Sequence, residues 1–240
     1  MNLEMKFLHC LDLSNKLKVL NLTSTATISS LLTTQLFSND KRDNPMVIDI
    51  EKLRNCTVDE INGMSSPRML FVFQRTILNS WTHRQLTPSE EILVHKGTLE
   101  IEFERGRRDY NYGAPSRLSC IYLMEDNLDS RLDLRSMFID IFPNPLVVEV
   151  SILNNLELMK FDYRWIDKYY EEPKEEYIKS YWTSISVNNE NPKWEYLLEG
   201  TIKMTNREQF EMLDNYVQQN HPDEYEGILL TREQLQNQNL

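Results

Sequence analysis

Apolar positions recur along this 240-residue chain at two periods, and the changes between them mark out the elements. Residues 5–11 are a short apolar run that predicts a buried strand. Residues 16–37 mix apolar residues with many Ser and Thr and read as strand and loop without a clear division. A polar break carrying charges and a proline follows at 39–45. Ser66-Pro67 then opens a helix with a capping hydroxyl before proline, and Leu70, Phe73, Ile77 and Trp81 form its stripe. Thr87-Pro88-Ser89-Glu90 is a capping box, and Ile92, His95, Leu99 and Phe103 carry a second helical stripe toward the basic run Arg105-Gly106-Arg107-Arg108. A loop at 111–115 leads to a strand predicted over 116–124, with Leu118, Ile121 and Leu123 in the core.

The second half mixes the two periods. Residues 129–138 read as a short helix, 146–153 as the clearest strand, 156–161 as its neighbour, and 175–182 as a helix. Trp194 to Met204 reads as a strand, a Glu199-Gly200 turn and a second strand, with Glu195 at the mouth of the first. Thr205-Asn206-Arg207-Glu208 is a further capping box, opening a helix to about Gln218. Residues 221–240 end rich in Gln and Asn and are expected to be frayed or disordered. Strands mix with helices without regular βαβ alternation and without internal repeats, which predicts an α+β fold. The expected organisation is a single domain over 1–220, with a helical insertion at 62–110 and a C-terminal helix.

Composition narrows the function classes. The net charge of −11 excludes nucleic-acid binding by bulk attraction, though not by a local cleft. Cys10, Cys56 and Cys120 form no C-x-x-C pair and give no disulfide framework. His9, His83, His95 and His221 have no metal-ligand spacing, so no metal is expected. No signal peptide or membrane-spanning run is read, which makes the cytoplasm the expected compartment and a membrane partner unexpected. The chain lacks G-x-G-x-x-G, P-loop, H-E-x-x-H and G-x-S-x-G motifs, which argues against dehydrogenase, NTPase, zincin and serine-hydrolase chemistry. It also shows no carboxylate cluster suited to a metal-dependent hydrolase.

Three constellations carry candidate chemistry. Glu195 is either a solvated strand-end acid or a fixed anion that faces developing positive charge on a sugar. Ser116 and Arg117 begin a strand after a proline. They are either a strand-start hydroxyl and a surface arginine, or a hydroxyl that orients a ribose beside a forked cation for phosphate. His9, inside an apolar strand, is either a hydrogen-bonded core histidine or a neutral donor to a ribose hydroxyl. The tyrosines at 169, 170, 177 and 181, with Trp182, read as core packing with base stacking as the alternative.

Several segments together carry a resemblance. Phe7-Leu8-His9-Cys10, the stretch from Leu99 to Arg108, Pro115-Ser116-Arg117-Leu118, Tyr181-Trp182 and Trp194-Glu195-Tyr196 resemble a poorly characterised bacterial and phage family of the ADP-ribosyltransferase-like superfamily. The resemblance covers roughly residues 5–11 and 99–204. It implies a split β-sheet cleft and transfer of ADP-ribose from NAD to a macromolecular acceptor, RNA, DNA or protein. A toxin in phage defence with a neutralising antitoxin partner is part of that implication. Glu195 would be catalytic, and His9, Ser116, Arg117 and Tyr122 would bind NAD, Tyr122 by stacking on nicotinamide. Arg75 is a lower-ranked candidate for the first motif position, because the stripe around it reads helical. Two departures stand out: Cys10 follows His9 where relatives often show His-x-Thr, and Lys193 precedes Glu195 by two where arginine-modifying relatives carry Glu or Gln. The second points the acceptor away from protein arginine. The alternative is a catalytically inactive interaction module of the same fold.

Overall fold

A computed structural model describes residues 6–30, 67–81, 84–139, 142 and 144–238. Among them it has five strands and eight helices: β1 (Phe7–Asp12), α1 (Lys16–Thr25), β2 (Thr27–Ser29), α2 (Pro67–Trp81), α3 (Pro88–Tyr110), β3 (Ile121–Glu125), α4 (Leu128–Ile139), β4 (Pro145–Asp162), α5 (Arg164–Glu171), α6 (Glu175–Trp182), β5 (Trp194–Met204), α7 (Arg207–Asn220) and α8 (Pro222–Gln238). The class is mixed α+β, with a five-stranded antiparallel sheet in the order β2-β5-β3-β1-β4 and an additional β5–β4 pairing. Among the described residues no helix is long and apolar enough to cross a membrane. Ser66, Cys56, His83 and the expected break at 39–45 lie outside the described residues.

The chain forms two compact units, each assembled from separated segments. The first comprises Met1–Ser29, Leu123–Asn154 and Thr201–Leu240. Here β1 pairs with β3 (Leu8 opposite Met124) and with β4 (Phe7 opposite Val150, His9 opposite Val148), while β2 pairs with β5 (Ile28 opposite Ile202). Helix α1 packs on α7 and α8, burying Val19, Leu22, Leu213, Val217 and Ile228.

The second unit comprises Ser30–Tyr122 and Asn155–Gly200. Its core joins Leu99, Phe103, Tyr122, Phe161, Ile178, Tyr181, Trp182 and Leu197. Trp182 Nε1 donates to the Phe103 carbonyl at 2.7 Å, so the polar tip of that indole is satisfied inside the core. The α3 capping box forms as expected: Glu90 N donates to Thr87 Oγ1, and Thr87 N to Glu90 Oε2.

Several expectations are corrected, each by local chemistry. Residues 16–25 are a helix because Asn15 caps it, accepting from Lys18 N, and Thr23 and Thr25 bond back to the Val19 and Asn21 carbonyls. The left-handed residue Ala26 ends it. The strand predicted from 116 starts only at Ile121, because Ser116 makes a turn: its carbonyl accepts from Ser119 N and Cys120 N, and its hydroxyl from Leu118 N. The two strands expected at 146–161 are one, β4.

Residues 194–204 are likewise one strand without a Glu199-Gly200 turn. The Gly200 carbonyl accepts from Ser30 N and Gly200 N donates to the Ser30 hydroxyl, and no described glycine takes the positive φ that a tight hairpin requires. The α7 cap is Asn206, accepting from Gln209 N, rather than Thr205. Of the frayed helix or disorder expected at the C-terminal segment, the helix is present over Pro222–Gln238, and Arg232 donates to the Thr23 carbonyl and to Asp214. On α2 and α3 the buried positions are Met69, Phe71, Val72, Gly97, Leu99, Glu100, Phe103, Glu104, Gly106 and Arg107; Ile92 and His95 face solvent.

Two glycines mark where α3 touches its neighbours. A Cβ on Gly97 would collide with the Phe71 carbonyl and Arg75 Cβ of α2, and one on Gly106 with Ile178 Cγ2 of α6. Alanine gains up to about 1 kcal/mol in helix propensity at such sites, but overpacking a dense core costs about 1–3 kcal/mol, and the clash wins. Gly97→Ala and Gly106→Ala should therefore each lower the unfolding midpoint in urea. Gly113→Ala, where a Cβ meets nothing within 4 Å, should leave it unchanged.

Candidate functional site

Arg117 is the largest charged side chain sealed inside the second unit, with 0% exposure. Its turn sits between α3 and β3, and each face of its guanidinium meets a named partner. Nε donates to Glu100 Oε2 at 3.1 Å and Nη2 to Glu100 Oε1 at 3.3 Å, a side-on fork from α3. Nη1 donates to Glu195 Oε1 on β5 at 2.5 Å and to Tyr181 Oη on α6 at 2.6 Å. Tyr181 Oη in turn donates to Glu195 Oε1 at 2.6 Å. Tyr122 on β3 donates to the Arg117 carbonyl at 2.9 Å. The rings of Phe103, Tyr122 and Tyr181 stand 5.2–5.6 Å from the guanidinium carbon.

A second cation completes the set. Arg68 of α2 donates to Glu100 Oε1 at 2.6 Å, lies 4.7 Å above the Tyr122 ring, and brings Nη2 to 3.9 Å from Glu195 Oε2. Two guanidiniums thus face two carboxylates, with Asp167 of α5 within electrostatic reach of Glu195 and Arg68. Glu195 itself is 2% exposed. Its Oε1 holds two donors, whereas Oε2 is buried without a hydrogen-bond partner among the described residues. The solvated strand-end reading of Glu195 is thereby removed.

Burial opposes ionisation of Glu100, but Arg117 and Arg68 overcome it and hold this carboxyl below its ordinary range. Burial pushes the Tyr181 and Tyr122 phenols well up, so both remain neutral donors. Burial also raises the Cys120 thiol, and brings Cys10 up to about 12, which leaves neither as a ready nucleophile.

A neighbouring cluster fixes the turn. Glu104 on α3 accepts from Arg107 Nε at 3.0 Å, from Arg107 Nη2 at 2.8 Å and from Ser116 Oγ at 2.8 Å. Arg107 also donates to the carbonyls of Tyr112 and Ala114. Ser116 therefore acts on the loop that presents Arg117.

Of the sequence candidates, Arg117, Tyr122 and Glu195 come together, with Ser116 bonded to the adjacent Glu104. His9 lies on β1 in the first unit, opposite Val148 of β4. The alternative of Arg117 as a surface arginine is removed: Glu100, Glu195 and Tyr181 engage all three of its nitrogens. Arg75 donates to Thr98 on α3 and serves the helix pair. Glu100 and Arg68 were not singled out from the sequence. The signal for Glu100 is a polar row at helical spacing, Glu100, Glu104 and Arg107, running beside Leu99 and Phe103. Among the described residues no group of three or more His, Cys, Asp or Glu is placed to hold a metal ion.

Two outcomes follow for stability. Removing one partner of a buried pair strands the other charge, so Arg117→Met should cost about 3–5 kcal/mol in denaturant unfolding. The Glu100 contribution depends on pH. Its folded value is depressed, so the stabilisation is complete above the unfolded value and lost as pH falls through the folded one. Glu100→Gln should therefore be clearly less stable than wild type at neutral pH, with the gap closing below about pH 4 in acid titrations of the melting temperature.

No curated protein matches the chain. Residues 38–215 match the model of a family described as a protein of unknown function, DUF2441. That span contains Arg68, Glu100, Arg117, Tyr122, Tyr181 and Glu195, and leaves His9 outside. Since it takes in well over half of the sequence, the chain belongs to the DUF2441 family.

Proposed function

We propose that this protein transfers ADP-ribose from NAD to a macromolecular acceptor, nucleic acid or protein, with Glu195 as the carboxylate at the reacting sugar. The observation that supports the reading is the asymmetry of Glu195. Oε1 is fixed by Arg117 and Tyr181, while Oε2 is buried, oriented and without a hydrogen-bond partner among the described residues. An oxygen of that kind suits a ribose hydroxyl, and a held anion lowers the energy of positive charge developing on the sugar carbon. The bond from that carbon to nicotinamide breaks with its electron pair leaving on nicotinamide. The acceptor's nucleophilic atom then bonds the same carbon and gives its proton to solvent. Arg117 and Tyr181 are positioning residues in this scheme. The phosphate contact expected for Arg117 does not fit, because its nitrogens are engaged by protein groups.

A second reading is an interaction module without catalysis. It is favoured by the balance of the network, in which two guanidiniums already offset two carboxylates. The two readings differ in what NAD does. For the transferase, NAD should raise the melting temperature of the wild type, and label from NAD should enter one of separated protein, RNA or DNA pools. Glu195→Gln should lose some stability, because Arg117 keeps only Glu100 as its anion, and about 100-fold or more in labelling rate under conditions where it stays folded. Neither a thermal shift nor label in the wild type would leave the interaction module standing.

A further inference from the structure

One member of the network reaches solvent. The Arg68 side chain is 14% exposed, against 0–2% for Arg117, Glu100 and Glu195. At 3.9 Å, Arg68 Nη2 is too far from Glu195 Oε2 for a hydrogen bond, so it screens that oxygen by charge alone. Nη1 is anchored on Glu100 at 2.6 Å, and the guanidinium lies over the Tyr122 ring. A ligand hydroxyl that bonds Oε2 takes over part of this screening. Arg68 can meanwhile keep Glu100 through Nη1 and turn its remaining donors outward, because a guanidinium carries five N–H groups in a rigid fork.

We propose that Arg68 is the anion-binding residue of this site, and that the ligand class is a phosphorylated sugar whose hydroxyl bonds Glu195 Oε2 while its phosphate meets Arg68. The inference rests on the reading of Glu195 as a hydroxyl acceptor, and it moves the phosphate contact from the fully buried Arg117 to Arg68, whose side chain is 14% exposed. A neutral sugar satisfies Oε2 alone and inorganic phosphate satisfies Arg68 alone, so each should bind more weakly than the combined ligand.

Calorimetry on the full chain with ribose, inorganic phosphate and ribose 5-phosphate tests this. The wild type should bind ribose 5-phosphate at least about tenfold more tightly than ribose, the size expected of one charge-assisted contact. Arg68→Met should abolish that ratio while ribose still binds, and Arg68→Lys, which keeps the charge without the fork, should retain part of it. If the methionine variant fails to fold, the wild-type ratio and the lysine variant still decide. Equal binding of the two sugars, binding of neither, or an unchanged ratio in Arg68→Lys overturns the proposal. NAD turnover in the same proteins separates it from the transferase reading. An Arg68-dependent preference in a protein that never consumes NAD keeps this inference and removes the transferase. Turnover whose KM for NAD is indifferent to Arg68→Lys does the reverse.

Discussion

A fully buried guanidinium dictates how the second unit is put together. Arg117 cannot leave water unless its N–H groups find acceptors and its charge finds an anion, because an unpaired ion in the interior costs several kcal/mol. Glu100, Glu195 and Tyr181 meet that demand from α3, β5 and α6. The partners come from distant parts of the sequence, so one charge sets the mutual placement of two helices, a strand and a turn. Helix α3 can come close enough only because Gly97 and Gly106 leave room for its neighbours. The Glu104–Arg107–Ser116 cluster then holds the loop that delivers Arg117.

The same network separates two jobs within a single carboxylate. Oε1 of Glu195 belongs to the scaffold, and Oε2 is left over. Scaffold and chemistry need not compete, since a reacting group is most effective when its own supports hold it in place. Buried ion pairs are weak evidence for stability, and often a hydrophobic replacement does as well. An oriented oxygen without a hydrogen-bond partner among the described residues is harder to explain by stability, because leaving it unsatisfied carries a penalty.

Legibility followed the range of the interactions. The capping box at Thr87 and the helices at 67–81, 128–139 and 175–182 were readable because caps and helical spacing act within a few residues. Helix α1 was missed because its Ser and Thr residues look like loop, whereas two of its threonine hydroxyls fold back onto the helix itself. The single long strands β4 and β5 were divided at Asn and Gly signals that pairing overrode. Glu195 and Arg117 stood out in the sequence, but their partnership spans 78 positions and no local pattern encodes it. Glu100 was hidden within a helix whose apolar stripe drew the eye, and its burial depends on a cation that arrives only in the folded state.

Each unit's interleaved segments bear on how the chain is made. Strand β1 must wait for β4, with Phe7 facing Val150, and α1 must wait for α7 and α8 near the other terminus. During synthesis from the N-terminus, Phe7, Leu8, Leu11, Val19 and Leu22 therefore emerge long before their covering partners exist. The first unit can close only once α7 and α8 have been synthesised, and its non-local pairing makes that closure slow compared with local helix formation. Until then a nascent chain of this design leaves the apolar edge of β1 uncovered, the kind of surface through which unfinished chains associate.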